Sequence, residues 1–155
     1  MAVRVLALLV ALFSSLPVLH VSAQAPRRDL QADERCGGHT IARHVGKTNA
    51  QLAERLRQQR DIAAASTYPD LATAETVVGS ALEKERTRVA AWTARRGRRP
   101  NLALRYRSTA PKPIGRSWRR GQVAPDAAFD AVVVLRWDVP RGAFCVLTSY
   151  PEAGR

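Results

Sequence analysis

The sequence predicts an α+β fold, with helices in the first half of the chain and an antiparallel sheet in the second. Two observations predict it. At Leu52 and Leu56, and again with an interruption over residues 71–92, apolar residues recur every three or four positions, the period of a helix with one buried face. From residue 102 onward, apolar and polar residues alternate, which is typical of strands with one buried face.

Capping residues set the bounds of the first predicted helices. A short helix is expected over Gly38–Val45, ended by Gly46, because glycine readily takes the left-handed conformation that follows a helix. Thr48 and Gln51 have the form of a capping box that starts a second helix. Residues 61–68 are expected to connect it to the next helix and to include an extended piece.

The longest predicted helix begins where Thr67 and Asp70 can cap it, and it continues to Trp92 along an apolar stripe. The Arg-rich segment 95–100 ends it. This segment is expected to be a surface loop whose four arginines contact solvent or a phosphate backbone.

The second half predicts four strands, the third of them central and paired in a hairpin with the fourth. They are expected near residues 102–106, 114–118, 131–137 and 143–150. Strict alternation along the last strand puts its side chains in two sets: Phe144, Val146, Thr148 and Tyr150 on one face, and Cys145, Leu147 and Ser149 on the other.

The first 23 residues are typical of a cleaved signal peptide. Arg4 is followed by an apolar run, and Val21-Ser-Ala23 supplies the small residues that signal peptidase reads. A retained membrane anchor is the alternative, although Pro17 and His20 interrupt the run. Residues 24–35 are then expected to be a flexible lead-in, and residues 36–155 to be the folded domain. The mature protein would be exported to the periplasm or the medium.

The charge predicts an anionic partner. The formal net charge is +12, and only three of the 25 basic residues are lysines. Arginine grips phosphate in two places, which lysine cannot do. A nucleic acid, an anionic membrane surface or an acidic protein would each satisfy this charge. The basic residues are dispersed, and no mature segment joins a basic face to a wide apolar one, which disfavours stable membrane association.

Two cysteines and two histidines remain after signal cleavage. Export would permit a disulfide between Cys36 and Cys145, and two buried thiols are the alternative. His39 and His44 are five residues apart, a poor interval for placing both on one helical face. Carboxylate or further cysteine partners at ligand spacing are missing, so no metal site is expected.

Several segments together resemble a known family. The blocks Gly38-His-Thr-Ile-Ala-Arg-His-Val-Gly-Lys-Thr48 and Val146-Leu-Thr-Ser-Tyr-Pro151 are the most specific, and the resemblance spans nearly all of 36–151. The chain is similar to the bacterial RNase A-like domain found at the C-terminus of contact-dependent growth inhibition toxins and other polymorphic toxins.

The resemblance implies a kidney-shaped α+β domain, with helices beside a strongly bent antiparallel sheet, that cleaves RNA in its cleft without metal or cofactor. The implied catalytic set is His44, Arg55, Thr148 and Tyr150. His39, Arg43 and Lys47 are secondary candidates for substrate binding. RNA supplies its own 2′-hydroxyl nucleophile, so such residues need only move protons and stabilise charge.

Two function classes stay open at this point. The first is an exported ribonuclease, acting as a toxin with an acidic immunity protein as partner, or on environmental RNA. The second is a non-catalytic basic domain that binds RNA or another anionic polymer. An export signal is expected in this chain where the family has a long delivery region, which leaves the toxin role open.

Overall fold

The α+β prediction is confirmed by the computed structural model, which describes residues 26–154. The proposed signal peptide lies outside these residues. Within them the chain forms five helices and six strands. The helices are α1 (Leu30–Arg35), α2 (Thr40–His44), α3 (Asn49–Gln58), α4 (Leu71–Lys84) and α5 (Arg86–Thr93). The strands are β1 (Ala64–Thr67), β2 (Leu102–Arg107), β3 (Gly115–Arg119), β4 (Asp126–Ala128), β5 (Asp130–Asp138) and β6 (Ala143–Glu152).

The strands form two antiparallel sheets of three strands each, ordered β1-β3-β4 and β2-β5-β6. As predicted, β5 is central and β6 is its hairpin partner. The two sheets approach each other at Gly115, where a Cβ atom would lie 2.5 Å from both the Thr67 carbonyl oxygen and Pro151 Cγ. Only a residue without a side chain lets β3 come this close to β6.

The predicted helix signals around α2 and α3 are confirmed. Gly46 follows α2 with a φ of 66°. Thr48 and Gln51 form the reciprocal capping box, with Thr48 Oγ1 accepting from the Gln51 amide and Gln51 Oε1 accepting from the Thr48 amide. The connection after α3 includes β1, the expected extended piece.

The longest predicted helix is interrupted, and its start was misplaced. Asp70 caps α4 by accepting from the Thr73 amide at 2.7 Å, whereas Thr67 belongs to β1. Glu85 leaves helical geometry, with φ −101° and ψ 18°, and separates α4 from α5. The apolar stripe continues through both helices, which is why periodicity alone suggested a single one.

The expectation of a flexible lead-in over residues 24–35 was wrong for its second half. Leu30 begins α1 and is fully buried. Asp33 is also buried, and it accepts two bonds from the Arg28 guanidinium, at 2.9 and 2.7 Å, and one from the Val146 amide at 3.0 Å. The polar composition of this segment suggested that it is unfolded, but the charges of Arg28 and Asp33 neutralise each other within the fold.

One arginine of the Arg-rich loop does not face solvent as expected. The Arg99 guanidinium lies 4.0 Å from the centre of the Trp137 ring and donates to the Thr93 carbonyl. Trp92 packs edge-on against Trp137 and donates from Nε1 to the Pro100 carbonyl at 2.8 Å. The loop is therefore anchored at its C-terminal end on the β5 side of the core.

The buried apolar residues form two clusters. The larger cluster lies between α4, α5 and the sheet β2-β5-β6, and it includes Val78, Trp92 and Val133. The smaller cluster joins α3 to β1, through Leu52, Leu56 and Ala65. Between residues 26 and 154, no helix combines the length and apolar character needed to cross a membrane.

Candidate active site

A cleft of about 430 Å³ lies between the two sheets, beside α2 and α3. Histidine, arginine and hydroxyl side chains from five elements line it. They include five residues singled out from the sequence: His39, His44, Arg55, Thr148 and Tyr150. A larger open cleft of about 570 Å³ borders α4, but no histidine, aspartate or glutamate of the described residues lines it.

Hydrogen bonds hold α2, which carries His44, against both sheets. The His44 carbonyl accepts from the Tyr68 amide at 2.8 Å, where β1 ends. On the other side, Thr40 Oγ1 accepts from the Ser149 amide at 2.9 Å, and the His39 amide donates to the Leu147 carbonyl at 3.0 Å. His44 is thus held at the junction of the sheets, where only 6% of its surface is exposed.

The environment of His44 sets its protonation. Its Nδ1 lies 3.1 Å from the Ser66 carbonyl oxygen, which can only accept, so Nδ1 carries the proton. Burial, and next the charge of Arg55, lower the pKa of His44 to about 3. The ring is therefore neutral near pH 7, and Nε2 is left as a proton acceptor.

The side chain of Arg55 enters the cleft from α3 and is held there by neutral acceptors. Its Nε donates to Gln59 Oε1 and its Nη1 to the Arg43 carbonyl, both at 3.2 Å. Burial and the neighbouring Arg43 lower the pKa of Arg55 from its ordinary value, as expected for a cation with little solvation. Among the described residues it forms no ion pair, which leaves its charge available to an anion.

Thr148 and Tyr150 reach the cleft from the same face of β6, as predicted. The prediction that Phe144 and Val146 share this face was wrong. A β-bulge at Leu147 shifts the register between Thr148, opposite Val134, and Val146, opposite Leu135. Residues paired across strands share a face, so Phe144 and Val146 point into the core while Cys145 shares the face of Thr148. An extra residue in one strand cannot be recognised from alternation alone.

The hydroxyl groups of β6 have different surroundings. Thr148 Oγ1 is buried and finds no hydrogen-bond partner within residues 26–154. The Tyr150 ring lies 5.5 Å from the His44 ring, centre to centre, and tilted by 34°. Burial, and next the charge of Glu152, raise the pKa of Tyr150, so its phenol stays protonated near neutral pH.

The secondary candidates divide into two groups. His39 lines the cleft, and burial together with the charge of Arg43 lowers its pKa. The side chains of Arg43 and Lys47 are not among the lining groups. Their backbone carbonyls hold other arginines: that of Arg43 accepts from Arg55, and that of Lys47 accepts from Arg116.

Sequence reasoning missed three polar residues of the cleft. Ser66 orients His44 through its carbonyl, and Ser117 and Glu152 line the walls. Backbone roles leave no mark on the sequence, and Ser66 and Ser117 are facing residues in the β1–β3 ladder. Glu152 could have been found, because it continues the period-2 face of Thr148 and Tyr150.

The predicted disulfide between Cys36 and Cys145 is confirmed, with Cα atoms 6.6 Å apart. It joins the end of α1, just before the histidine segment, to β6, three residues before Thr148. Within residues 26–154, these two cysteines and Asp33 are the one group with the spacing of a metal site. Because the sulfurs are bonded to each other, the group has no thiolate to offer a metal.

Comparisons with known proteins agree on one family. The sequence model of the family described as "Bacterial CdiA-CT RNAse A domain" matches residues 38–151. A crystal structure of a CdiA-CT/CdiI complex from Y. kristensenii 33638 aligns with a TM-score of 0.65 and 29% sequence identity, covering 74% of this chain and 99% of that one. No curated protein matches.

Proposed function

This chain belongs to the bacterial CdiA-CT RNase A domain family, and from that membership we propose that it is an endoribonuclease that needs no metal ion. One observation carries the proposal. His44, Arg55, Thr148 and Tyr150 come from three separate elements and line the same cleft. RNA is the substrate that matches them, because it brings its own nucleophile and presents an anion at the reacting centre.

His44 is the proton acceptor in the proposed reaction. Its Nε2 carries no proton, because the neutral ring holds its one proton on Nδ1, which donates to the Ser66 carbonyl. As Nε2 takes the 2′ proton, the 2′-oxygen forms a bond to phosphorus and the bond from phosphorus to the 5′-oxygen breaks. A phosphate bound beside His44 would raise the pKa of His44 by its negative charge.

The other residues complete this step. The Tyr150 phenol gives its proton to the departing 5′-oxygen, so the products are a 2′,3′-cyclic phosphate and a 5′-hydroxyl. Arg55 stabilises the additional charge on the five-coordinate phosphorus, a contribution that is often the largest in such reactions. The Thr148 hydroxyl, which has no hydrogen-bond partner within residues 26–154, donates to a non-bridging oxygen of the phosphate.

No step in this reaction asks for a metal ion. The nucleophile needs only deprotonation, and Arg55 provides the cation that a divalent metal provides in other nucleases. Among the described residues, Glu152 contributes the one carboxylate that lines the cleft, whereas metal-dependent phosphoryl transfer draws on several oxygen ligands.

We further propose that residues 1–23 direct export and are removed. The Cys36–Cys145 disulfide supports this, because such bonds persist in oxidising compartments. The similar crystal structure contains a CdiA-CT/CdiI complex, which supports an acidic immunity protein as the partner of this chain. Removal of Arg4 with residues 1–23 lowers the net charge from +12 to +11, which would still attract such a protein and RNA alike.

The test is cleavage of single-stranded RNA by the purified protein in EDTA, with DNA of the same sequence alongside. RNA should be cut to cyclic phosphate ends, and DNA should survive because it lacks the 2′-hydroxyl. His44→Ala should abolish cleavage. Arg55→Gln should slow it by about 10²–10³-fold, the usual cost of one oxyanion donor.

Arg57→Gln is the matched control. It removes the same charge from the same helix, two residues further on, at a side chain that does not line the cleft. Equal slowing in both variants would assign the effect to general charge. Intact RNA with a folded parent protein, or cleavage that stops in EDTA, would contradict the proposal and favour a binding module or a metal enzyme respectively.

A further inference from the structure

A carboxylate is an unexpected group in a cleft for RNA. Glu152 is the one acidic residue among the described groups that line this cleft. It follows Tyr150 by two positions in β6 and pairs opposite Asp130, so it lies on the same face as Thr148 and Tyr150. The sheet thus presents two hydroxyls and then a carboxylate in a row.

An ion pair holds the Glu152 side chain in place but uses only part of the hydrogen-bonding capacity of its carboxylate. Arg105 Nη1 donates to Glu152 Oε2 at 2.8 Å, from β2, two strands away across β5. Oε1 accepts no hydrogen bond from any residue between 26 and 154. A carboxylate has about four lone-pair sites, so both oxygens can still accept from a ligand.

The chemistry of this group decides what it can bind. A carboxylate repels phosphate and can only accept hydrogen bonds. On the RNA backbone, the 2′-hydroxyl is therefore the one group that it can bind. The remaining donors on RNA are the N–H groups on the base edges, which proteins read in single strands. Accepting from a base N–H is an established role of Glu side chains in nucleic-acid recognition.

We infer, building on the proposed ribonuclease function, that Glu152 selects guanine at one nucleotide beside the scissile phosphate. Guanine alone presents two neighbouring donors, N1–H and N2–H, that match the two oxygens of a carboxylate. Adenine and cytosine offer an amino group beside an acceptor nitrogen that a carboxylate repels. Uracil offers one N–H between two carbonyls.

The experiment is limited digestion of a random-sequence single-stranded RNA pool in EDTA, followed by sequencing of the fragment ends. The parent protein should show guanine enriched at one fixed position next to the cut. Glu152→Gln should reduce the ratio of guanine to uracil there by about tenfold, because a bidentate pair contributes roughly this much discrimination. Melting curves for each variant check that it is folded.

Two controls isolate the carboxylate. Glu83→Gln removes the same charge and another 2.8 Å pair with arginine, on the surface of α4, and should keep the parent preference. Arg105→Gln breaks the ion pair that positions Glu152 but keeps the carboxylate, and should lose less of the preference for guanine than Glu152→Gln. A parent without base preference, an unchanged pattern in Glu152→Gln, or an equal loss in Arg105→Gln would overturn the inference. A parent that cuts no RNA overturns the ribonuclease function and this inference with it.

Discussion

Acid should destabilise this protein through His44 in particular. Folding lowers the pKa of His44 from 6.5 to about 3, so the unfolded chain binds a proton more readily than the folded protein. The contribution of His44 to stability is therefore complete above about pH 6.5 and is lost progressively as the pH falls toward 3. At pH 5 the loss amounts to about 2 kcal/mol, since each pH step below 6.5 costs about 1.4 kcal/mol.

Urea unfolding at pH 7 and pH 5 measures this loss. The parent protein should lose about 2 kcal/mol more between the two values than His44→Gln, which keeps an N–H group for the Ser66 carbonyl but cannot titrate. Comparing the two proteins cancels the groups that they share. Equal losses would refute the reasoning, because they would mean that His44 can be charged inside the fold.

Three further predictions concern stability and rate. Replacing Cys36 and Cys145 by serine should lower the free energy of unfolding by about 4–5 kcal/mol in urea titrations, because the bridge closes a loop spanning 109 positions; a loss below 1 kcal/mol would contradict this. Thr148→Val should not lower the melting temperature, because the buried Oγ1 has no hydrogen-bond partner within residues 26–154, while slowing RNA cleavage about tenfold or more; a lower melting temperature would contradict this. Gly115→Ala should cost about 1–3 kcal/mol in thermal unfolding, because its methyl group would meet Thr67 and Pro151; an unaltered melting curve would show that the sheets can separate there.

Features that are encoded by residues close together in the chain were predicted correctly. The capping box at Thr48, the glycine after α2 and the valine-rich β5 were all identified from the sequence and confirmed. Each depends on residues close together in the chain, so neighbouring sequence is sufficient to specify it.

Features that depend on distant partners were missed. Asp33 in α1 is buried where it accepts from the Val146 amide, a partner that a reading of residues 24–35 alone cannot show. The bulge at Leu147 and the docking of Arg99 on Trp137 likewise arise from tertiary contact. For the site, only family resemblance could bring residues 44 and 148 together, and it gave no reason to consider Glu152.

The two walls of the cleft belong to different hydrophobic clusters. Arg55 stands on α3, whose buried leucines pack against β1, whereas Thr148 and Tyr150 stand on β6, which packs in the larger cluster. The walls are joined by α2, which is hydrogen-bonded to the segment after β1 and to β6, and by the close approach of β3 to β6 at Gly115. An RNA strand bound as proposed, in contact with Arg55 and Thr148 together, would add a further connection between the two walls, made by the ligand itself.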